Sequence, residues 1–312
     1  ISFDKNQQFR YGVTFSQPYA EYLGLNWKDV LTAILDDLQV QNYRLVAYWN
    51  LIEPGPGIYE FKDLDWQVNE VAKRGGNITL ALGMRVPRWP ECHIPTWAKN
   101  LTNEQLVEAN KSYIKEVVNH YANSDNVNSI VAWQVENEPF LKIFGECIEQ
   151  SEQMVNEKVK IVNEMSDLPI AITESGELGL WYKTAKLADV LGVSVYRRVS
   201  QPFVGYINYP FPPVFYTARA WLIGFLTGKQ IYISELQLEP WINGDLIDTS
   251  LAEQERAMSV KNIINFVSYS RKTGLNPIYF WGVEWWYYMK ENGKADYWNE
   301  MKRQIEINSE KL

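Results

Sequence analysis

Two glutamates stand where buried strands should end. The run Ile130-Val131-Ala132-Trp133-Gln134-Val135 has the β-branched and aromatic make-up of a strand covered on both faces, and Glu136-Asn137-Glu138-Pro139 follows it. Pro139 has no N–H for a sheet ladder and biases the preceding residue towards an extended backbone, so Glu138 is expected to be held, extended, at the carboxyl end of that strand. A second run, Ile231-Tyr232-Ile233-Ser234, ends on Glu235. Two carboxyl groups at two strand ends suit cleavage of a glycosidic bond. One protonates the departing oxygen, while the other attacks the sugar or activates water.

The elements that must position these groups recur with one rhythm, a short apolar run followed by an amphipathic helical run. The expected strands are Tyr11–Phe15, Tyr43–Trp49, Asn77–Met84, Val127–Val135, Pro169–Thr173, Val190–Tyr196, Gln230–Glu235 and Pro277–Trp281. The expected helices are Asn26–Leu38, Leu64–Lys73, Asn103–Tyr121, Ser151–Met165, a short Leu180–Leu187, Phe215–Leu226, Leu251–Arg271 and a final Asp296–Ile305. An aromatic loop over Gln201–Val214 separates the sixth unit from the seventh. No G-x-G-x-x-G follows any strand, and no Gly/Ser linker or shift in composition divides the chain. The pattern predicts an α/β protein, a single-domain (β/α)8 TIM barrel over residues 1–312, with its chemistry at the carboxyl ends of the strands.

Asn137-Glu138-Pro139 resembles the strand-four signature of the retaining glycoside hydrolases of clan A, which include families 5, 39 and 42. The resemblance implies that Glu138 is the general acid/base and that Glu235, ending strand seven, is the nucleophile. It implies further site residues. Arg44, in NYRLVAYW, is similar to the strand-two arginine beneath the nucleophile. Tyr196, ending VSVY, resembles the tyrosine that donates to it, and Trp281, in YFWG, the tryptophan that floors the sugar site. Family 5 places histidines at the ends of strands three and six, where this chain has Met84-Arg85 and Ser194; Arg85, Arg88 or His93 would then supply polar sugar contacts.

The residues agree with that chemistry. Beside a guanidinium such as Arg44, Glu235 would stay ionised, whereas Glu138, beside a second anion, would keep its proton. Asn137 is placed to bind the sugar 2-hydroxyl. Glu136, Glu174, Glu177 and Glu284 also lie at strand ends; alternation does not exclude Glu136 from the catalytic pair, and the others read as sugar contacts or ion pairs. The 13 Trp, 19 Tyr and 12 Phe exceed ordinary core needs. Trp89, Trp97, Trp181, Trp241, Trp285 and Trp286 fall in polar, loop-like surroundings suited to stacking on sugar rings.

Bulk properties narrow the alternatives. The net charge of −8, with no basic run, argues against nucleic acid or an anionic membrane as partner. No apolar stretch is long enough for a membrane-spanning helix. Two histidines, His93 and His120, are too few for a His-rich metal hydrolase, and no metal or other cofactor is implied. Cys92 and Cys147 fall in the loops after strands three and four, neighbours in a barrel, where a disulfide would clamp them. Ile1-Ser2-Phe3 reads as a processed start, which with such a disulfide suggests an extracytoplasmic protein. The rival reading is an inactive barrel that only binds carbohydrate through its aromatic rim.

Overall fold

A strand buried on both faces needs apolar side chains at nearly every position, and a helix covering it needs one apolar stripe. The computed structural model describes residues 8–124, 127–201 and 204–309. The reading of Ile1-Ser2-Phe3, and Pro202-Phe203 of the aromatic loop, lie outside them. The barrel strands are β1 (Tyr11–Thr14), β2 (Asn42–Val46), β3 (Asn77–Leu82), β4 (Ile130–Val135), β5 (Ile170–Glu174) and β6 (Val190–Val195), followed later in the chain by β9 (Gln230–Gln237) and β10 (Ile278–Trp281). They form a closed parallel ring in the order β1-β10-β9-β6-β5-β4-β3-β2. Register is explicit along β3 and β4, where Leu80 lies opposite Trp133 and Leu82 opposite Val135.

The remaining elements are α1 (Gln17–Tyr22), α2 (Trp27–Ala33), α3 (Trp49–Ile52), α4 (Lys62–Lys73), α5 (Asn103–Ala122), α6 (Glu152–Met165) and α7 (Trp181–Ala185). Next come an antiparallel hairpin of β7 (Arg198–Gln201) and β8 (Gly205–Asn208), then α8 (Pro213–Thr227), α9 (Leu251–Ala257), α10 (Val260–Arg271), α11 (Val283–Glu291) and α12 (Asp296–Ser309). The residues group into two compact units. One holds the chain up to Asn42 with Val193–Leu226 and Ile231 onwards; the other holds Tyr43–Gly192 and Thr227–Gln230.

Local chemistry explains the helix limits. On α4, Leu64, Val68 and Val71 are buried at helical spacing. Thr102 and Gln105 close a reciprocal capping box at the start of α5.

Several boundaries depart from the expected ones. The helix expected over Leu251–Arg271 is two, because Met258 turns extended and Ser259 starts α10 by accepting the Asn262 N–H. The Asn26–Leu38 helix widens into a π-type turn over Ile34–Leu38, and β2 stops at Val46, after which Trp49–Ile52 turns helical. The loop over Gln201–Val214 is in part the β7–β8 hairpin.

The tryptophan reading needs correction. Trp181, Trp285 and Trp286 are buried, each with its indole N–H satisfied inside the protein, by Ser175 O, Gln254 Oε1 and Leu238 O respectively. A buried indole needs only one acceptor, which the fold supplies from elsewhere in the chain, so polar sequence neighbours did not signal exposure. Trp89 is exposed, and Trp97 and Trp241 are half-buried.

Candidate active site

Polar residues appear in the strands chiefly at their carboxyl ends: Arg44 on β2, Gln134 on β4, Thr173 on β5, Ser194 on β6, and Ser234 and Glu235 on β9. All are buried, so each must find hydrogen-bond partners within the protein.

In the unit that holds β4, Asn137 is the junction. Its Oδ1 accepts from Arg44 Nη2 at 2.6 Å and from Thr173 Oγ1 at 2.8 Å. Arg44 Nε donates to Gln134 Oε1 at 2.6 Å, and Gln134 Nε2 donates to the Glu136 carbonyl at 3.1 Å. Glu138 follows, buried, its N–H donating to Thr173 Oγ1 at 3.0 Å. The backbone here corrects the expected extended conformation, since Glu138 has φ +47° and Glu136 φ +66°. The chain must reverse at once, with Leu141 N–H closing onto the Glu138 carbonyl at 3.0 Å. Proline disfavours the right-handed helical region for the residue before it, which leaves the left-handed one for a turn this tight. Two non-glycine residues of this kind, one residue apart, concentrate strain at this strand end.

Glu136 has a different surrounding from Glu138. It is fully buried, and its carboxylate accepts the N–H groups of Met84 (2.9 Å) and Arg85 (2.8 Å), Gln150 Nε2 (2.6 Å) and the fully buried ammonium of Lys158. Gly83, at φ +130°, makes the approach possible, because a Cβ there would come within 2.7 Å of Glu136 Oε1. A carboxylate with three neutral donors and its own cation is occupied as a structural centre.

The loop after β3 is pinned over the loop after β4. Arg85 donates to Glu91 Oε2 at 3.2 Å and to the carbonyls of Leu141 and Phe144 at 2.9 and 2.8 Å, and Cys92 and Cys147 form the disulfide that the sequence suggested. His93 is buried against Tyr48 and donates from Nε2 to the Arg88 carbonyl at 3.1 Å. Burial pushes its imidazole down to about 4, against a smaller upward pull from that carbonyl. Arg85 and His93 thus hold loop backbone. Glu174 does the same, accepting from Thr184 Oγ1 at 2.6 Å and from the Ser175 N–H at 3.0 Å, while Glu177 is half-buried.

In the unit that holds β9, Tyr196 Oη donates to Glu235 Oε2 at 3.2 Å, and the Tyr196 ring meets Trp241 edge-on at 5.3 Å. Gln237 fixes the chain just past Tyr196. Its Oε1 accepts the N–H groups of Arg197 and Arg198, both at 2.9 Å, and its Nε2 donates to the Arg198 carbonyl at 2.6 Å. Trp281 is buried at the end of β10, and Glu284, just beyond it, accepts the Ser16 N–H. Gln134, Thr173, Lys158 and Gln237 were not singled out from the sequence. For the two glutamines a signal was present: a glutamine two residues before a glutamate at the end of a buried run, in Gln134-Val135-Glu136 and Gln237-Leu238-Glu239. Among the described residues no cluster of His, Cys, Asp and Glu could hold a metal ion.

Solved structures supply the comparison. A GH5_18 enzyme from Streptomyces cattleya, in complex with GlcNAc, superposes with a TM-score of 0.60 at 11% identity, over 88% of this chain and 70% of that one. A family 10 endo-beta-1,4-xylanase from Gloeophyllum trabeum gives 0.59 at 18% identity, over 88% and 83%. Endo-glycoceramidase II from Rhodococcus sp., as a lactosyl-enzyme intermediate, gives 0.57 at 14% identity, over 89% and 74%. The fold is that of the clan A glycoside hydrolases. No protein-family model and no curated protein sequence matches the chain.

Two predictions follow from the buried charges. Lys158→Met leaves the Glu136 carboxylate without its cation and should lower stability by about 3–5 kcal/mol in urea unfolding. Lys158→Met with Glu136→Gln should recover much of that loss; equal instability of single and double variants would contradict the pairing. His93 is neutral when folded, down to about pH 4, whereas the unfolded imidazole takes up a proton below its ordinary value of 6.5. Stability from this group is therefore complete above about pH 6.5 and falls by about 3 kcal/mol as pH drops towards 4. His93→Gln should remove that component from the difference between the two unfolding-versus-pH curves.

Proposed function

We propose that the protein is a retaining glycoside hydrolase that cleaves β-glycosidic bonds of an oligo- or polysaccharide, with Glu138 as general acid/base and Glu235 as nucleophile. The observation that carries this reading is the Tyr196 hydroxyl on Glu235 at the end of a barrel strand. A hydrogen bond to a carboxylate oxygen fixes the direction in which the carboxylate faces a substrate. Glu138, set by two strained φ angles and a backbone bond to Thr173, is the second carboxyl.

In the first step Glu138 gives its proton to the glycosidic oxygen as the Glu235 carboxylate attacks the anomeric carbon. The C–O bond breaks and a glycosyl ester forms with inversion. In the second step Glu138, now a carboxylate, takes a proton from water. The hydroxide attacks the anomeric carbon and Glu235 is released, so the configuration is retained overall. This needs the two carboxyls about 5–5.5 Å apart. Asn137, held by Arg44 and Thr173, contacts the sugar 2-hydroxyl through its amide, and Trp281 and Trp241 offer ring surfaces to the sugar. Arg44 acts through Asn137 and Gln134, and Arg85 and His93 through the loop they hold. The disulfide supports an extracytoplasmic location, since such bonds persist in oxidising compartments.

Rescue by azide tests the assignment. Glu235→Ala should abolish turnover of ordinary glycosides; with an activated substrate, azide should restore it and give a glycosyl azide of inverted configuration. Glu138→Ala should spare formation of the intermediate from activated aryl glycosides, and azide should then give the retained product. Swapped configurations would exchange the roles, and unaltered turnover in either variant would remove that residue. Binding of oligosaccharide with no turnover by the unaltered protein would make it a carbohydrate-binding barrel instead.

The second test concerns Tyr196. Tyr196→Phe removes a bond to a charged acceptor, worth about 1.5–3 kcal/mol, and should lower kcat/KM by roughly ten- to a hundredfold. An unchanged kcat/KM would leave the tyrosine a packing role.

A further inference from the structure

The stretch from Val190 to Ser234 contains no Asp or Glu, yet carries Arg197, Arg198, Arg219 and Lys229, within a chain of net charge −8. It includes the β7–β8 hairpin and α8, the insertion between the sixth and seventh barrel strands. The sequence of α8, PVFYTARAWLIGFLT, has one charged residue, Arg219. A covering helix should bury its apolar residues, but α8 buries few of them. Tyr216 and Ile223 face inward, and Thr217 Oγ1 bonds the Thr273 carbonyl at 2.8 Å. On the opposite side Val214, Ala218, Trp221, Leu222, Phe225 and Leu226 form a continuous exposed stripe at helical spacing. Trp221 is 61% and Phe225 76% exposed, and their rings stack at 5.7 Å.

We propose that this face of α8 docks on an anionic lipid bilayer, with the helix lying in the plane of the headgroups. At 15 residues, or about 22 Å, α8 is too short to span a bilayer, and no helix among the described residues is long and apolar enough to cross one. Its pattern is that of an interfacial helix, with Trp, Phe and Leu on one side and cations at the margin. Arg219 lies over the Phe215 ring at 5.1 Å, and the exposed Lys272 adjoins the Thr273 carbonyl that anchors Thr217.

Charge selects this occupant over a second copy of the chain. A two-fold dimer through the stripe would bring Arg219 and Lys272 towards their own counterparts, whereas phosphate headgroups match them. On the hairpin, the Tyr206 hydroxyl donates to Glu253, and Arg256 neutralises that carboxylate at 3.0 Å. The overall charge of −8, which argues against an anionic membrane, is carried outside this stretch.

Co-sedimentation with phosphatidylcholine vesicles, with and without phosphatidylglycerol, tests the proposal at low and high salt. The protein should pellet with the anionic vesicles and release with salt. Trp221→Glu with Phe225→Glu should reduce partitioning by about a hundredfold or more, since two large apolar side chains lose their burial. Arg219→Glu should reduce it by at least about fivefold, at low salt only. Both sites are accessible on one helix face, so thermal melting should stay close to that of the unaltered protein. Failure to pellet with anionic vesicles, or pelleting that the double variant does not weaken, would overturn the proposal. A dimer in sedimentation equilibrium that the double variant dissolves, with no vesicle binding, would assign the face to a second copy.

Discussion

The geometry of the β4 end depends on one buried ion pair. Glu136 has no exposure and neither does Lys158, so each charge lies where an unmatched ion costs several kcal/mol. The pair satisfies that demand by drawing in its surroundings. Two successive backbone N–H groups from the loop after β3, at Met84 and Arg85, point at the carboxylate, and Gln150 bridges it to Lys158 on α6. Gly83 has to be a glycine for the loop to approach so closely. Once Glu136 is fixed with its side chain turned towards α6 and a positive φ, the next residue faces the other way. Asn137 then meets Arg44 and Thr173, and the chain folds over into the turn that carries Glu138. The strain of that turn is sustained because the polar groups around it would otherwise be buried without partners.

The ends of β4 and β9 share a local device. A parallel ladder stops at the rim, and carbonyls beyond the last rung lose their partners. Gln134 donates to the carbonyl of Glu136, and Gln237 to that of Glu239 at 3.4 Å, the same side-chain-to-backbone step of two residues. Each glutamine uses its other end to hold a neighbouring element, Arg44 in one case and the backbone of Arg197 and Arg198 in the other. The amide serves here because it donates and accepts at once without carrying charge. A carboxylate in either place would repel the carbonyl it has to bind.

Much of this was legible in the sequence, for identifiable reasons. Eight strands buried on both faces wrote themselves as eight apolar runs, and the polar residues that close them marked the rim. The end of the strand before Asn137-Glu138-Pro139 and the Cys92–Cys147 bond were visible because Pro and Cys have few uses, although the left-handed turn at Glu138 was not. What escaped depends on facts that a one-dimensional pattern does not hold. Glu136 and Glu138 look equivalent until a lysine on α6, Lys158, is brought beside one of them. Arg85 and His93 look like free polar groups until the carbonyls of Leu141, Phe144 and Arg88 are seen to accept their N–H groups. The β7–β8 hairpin was hidden because two four-residue strands give too short an alternation to read against an aromatic loop.

The same comparison shows why proximity in sequence is a poor guide to chemical role at this rim. Two carboxyls separated by one residue would ordinarily repel each other strongly in a buried site. Lys158 prevents that by turning Glu136 into half of a neutral pair, whose field falls away much faster with distance than that of a bare anion. Glu136 is thereby committed to the backbone and side chains it holds. On β9, Glu235 bonds the Tyr196 hydroxyl, a neutral donor. The two strand ends thus hold their carboxylates differently, Glu136 against a buried cation and Glu235 against a neutral hydroxyl.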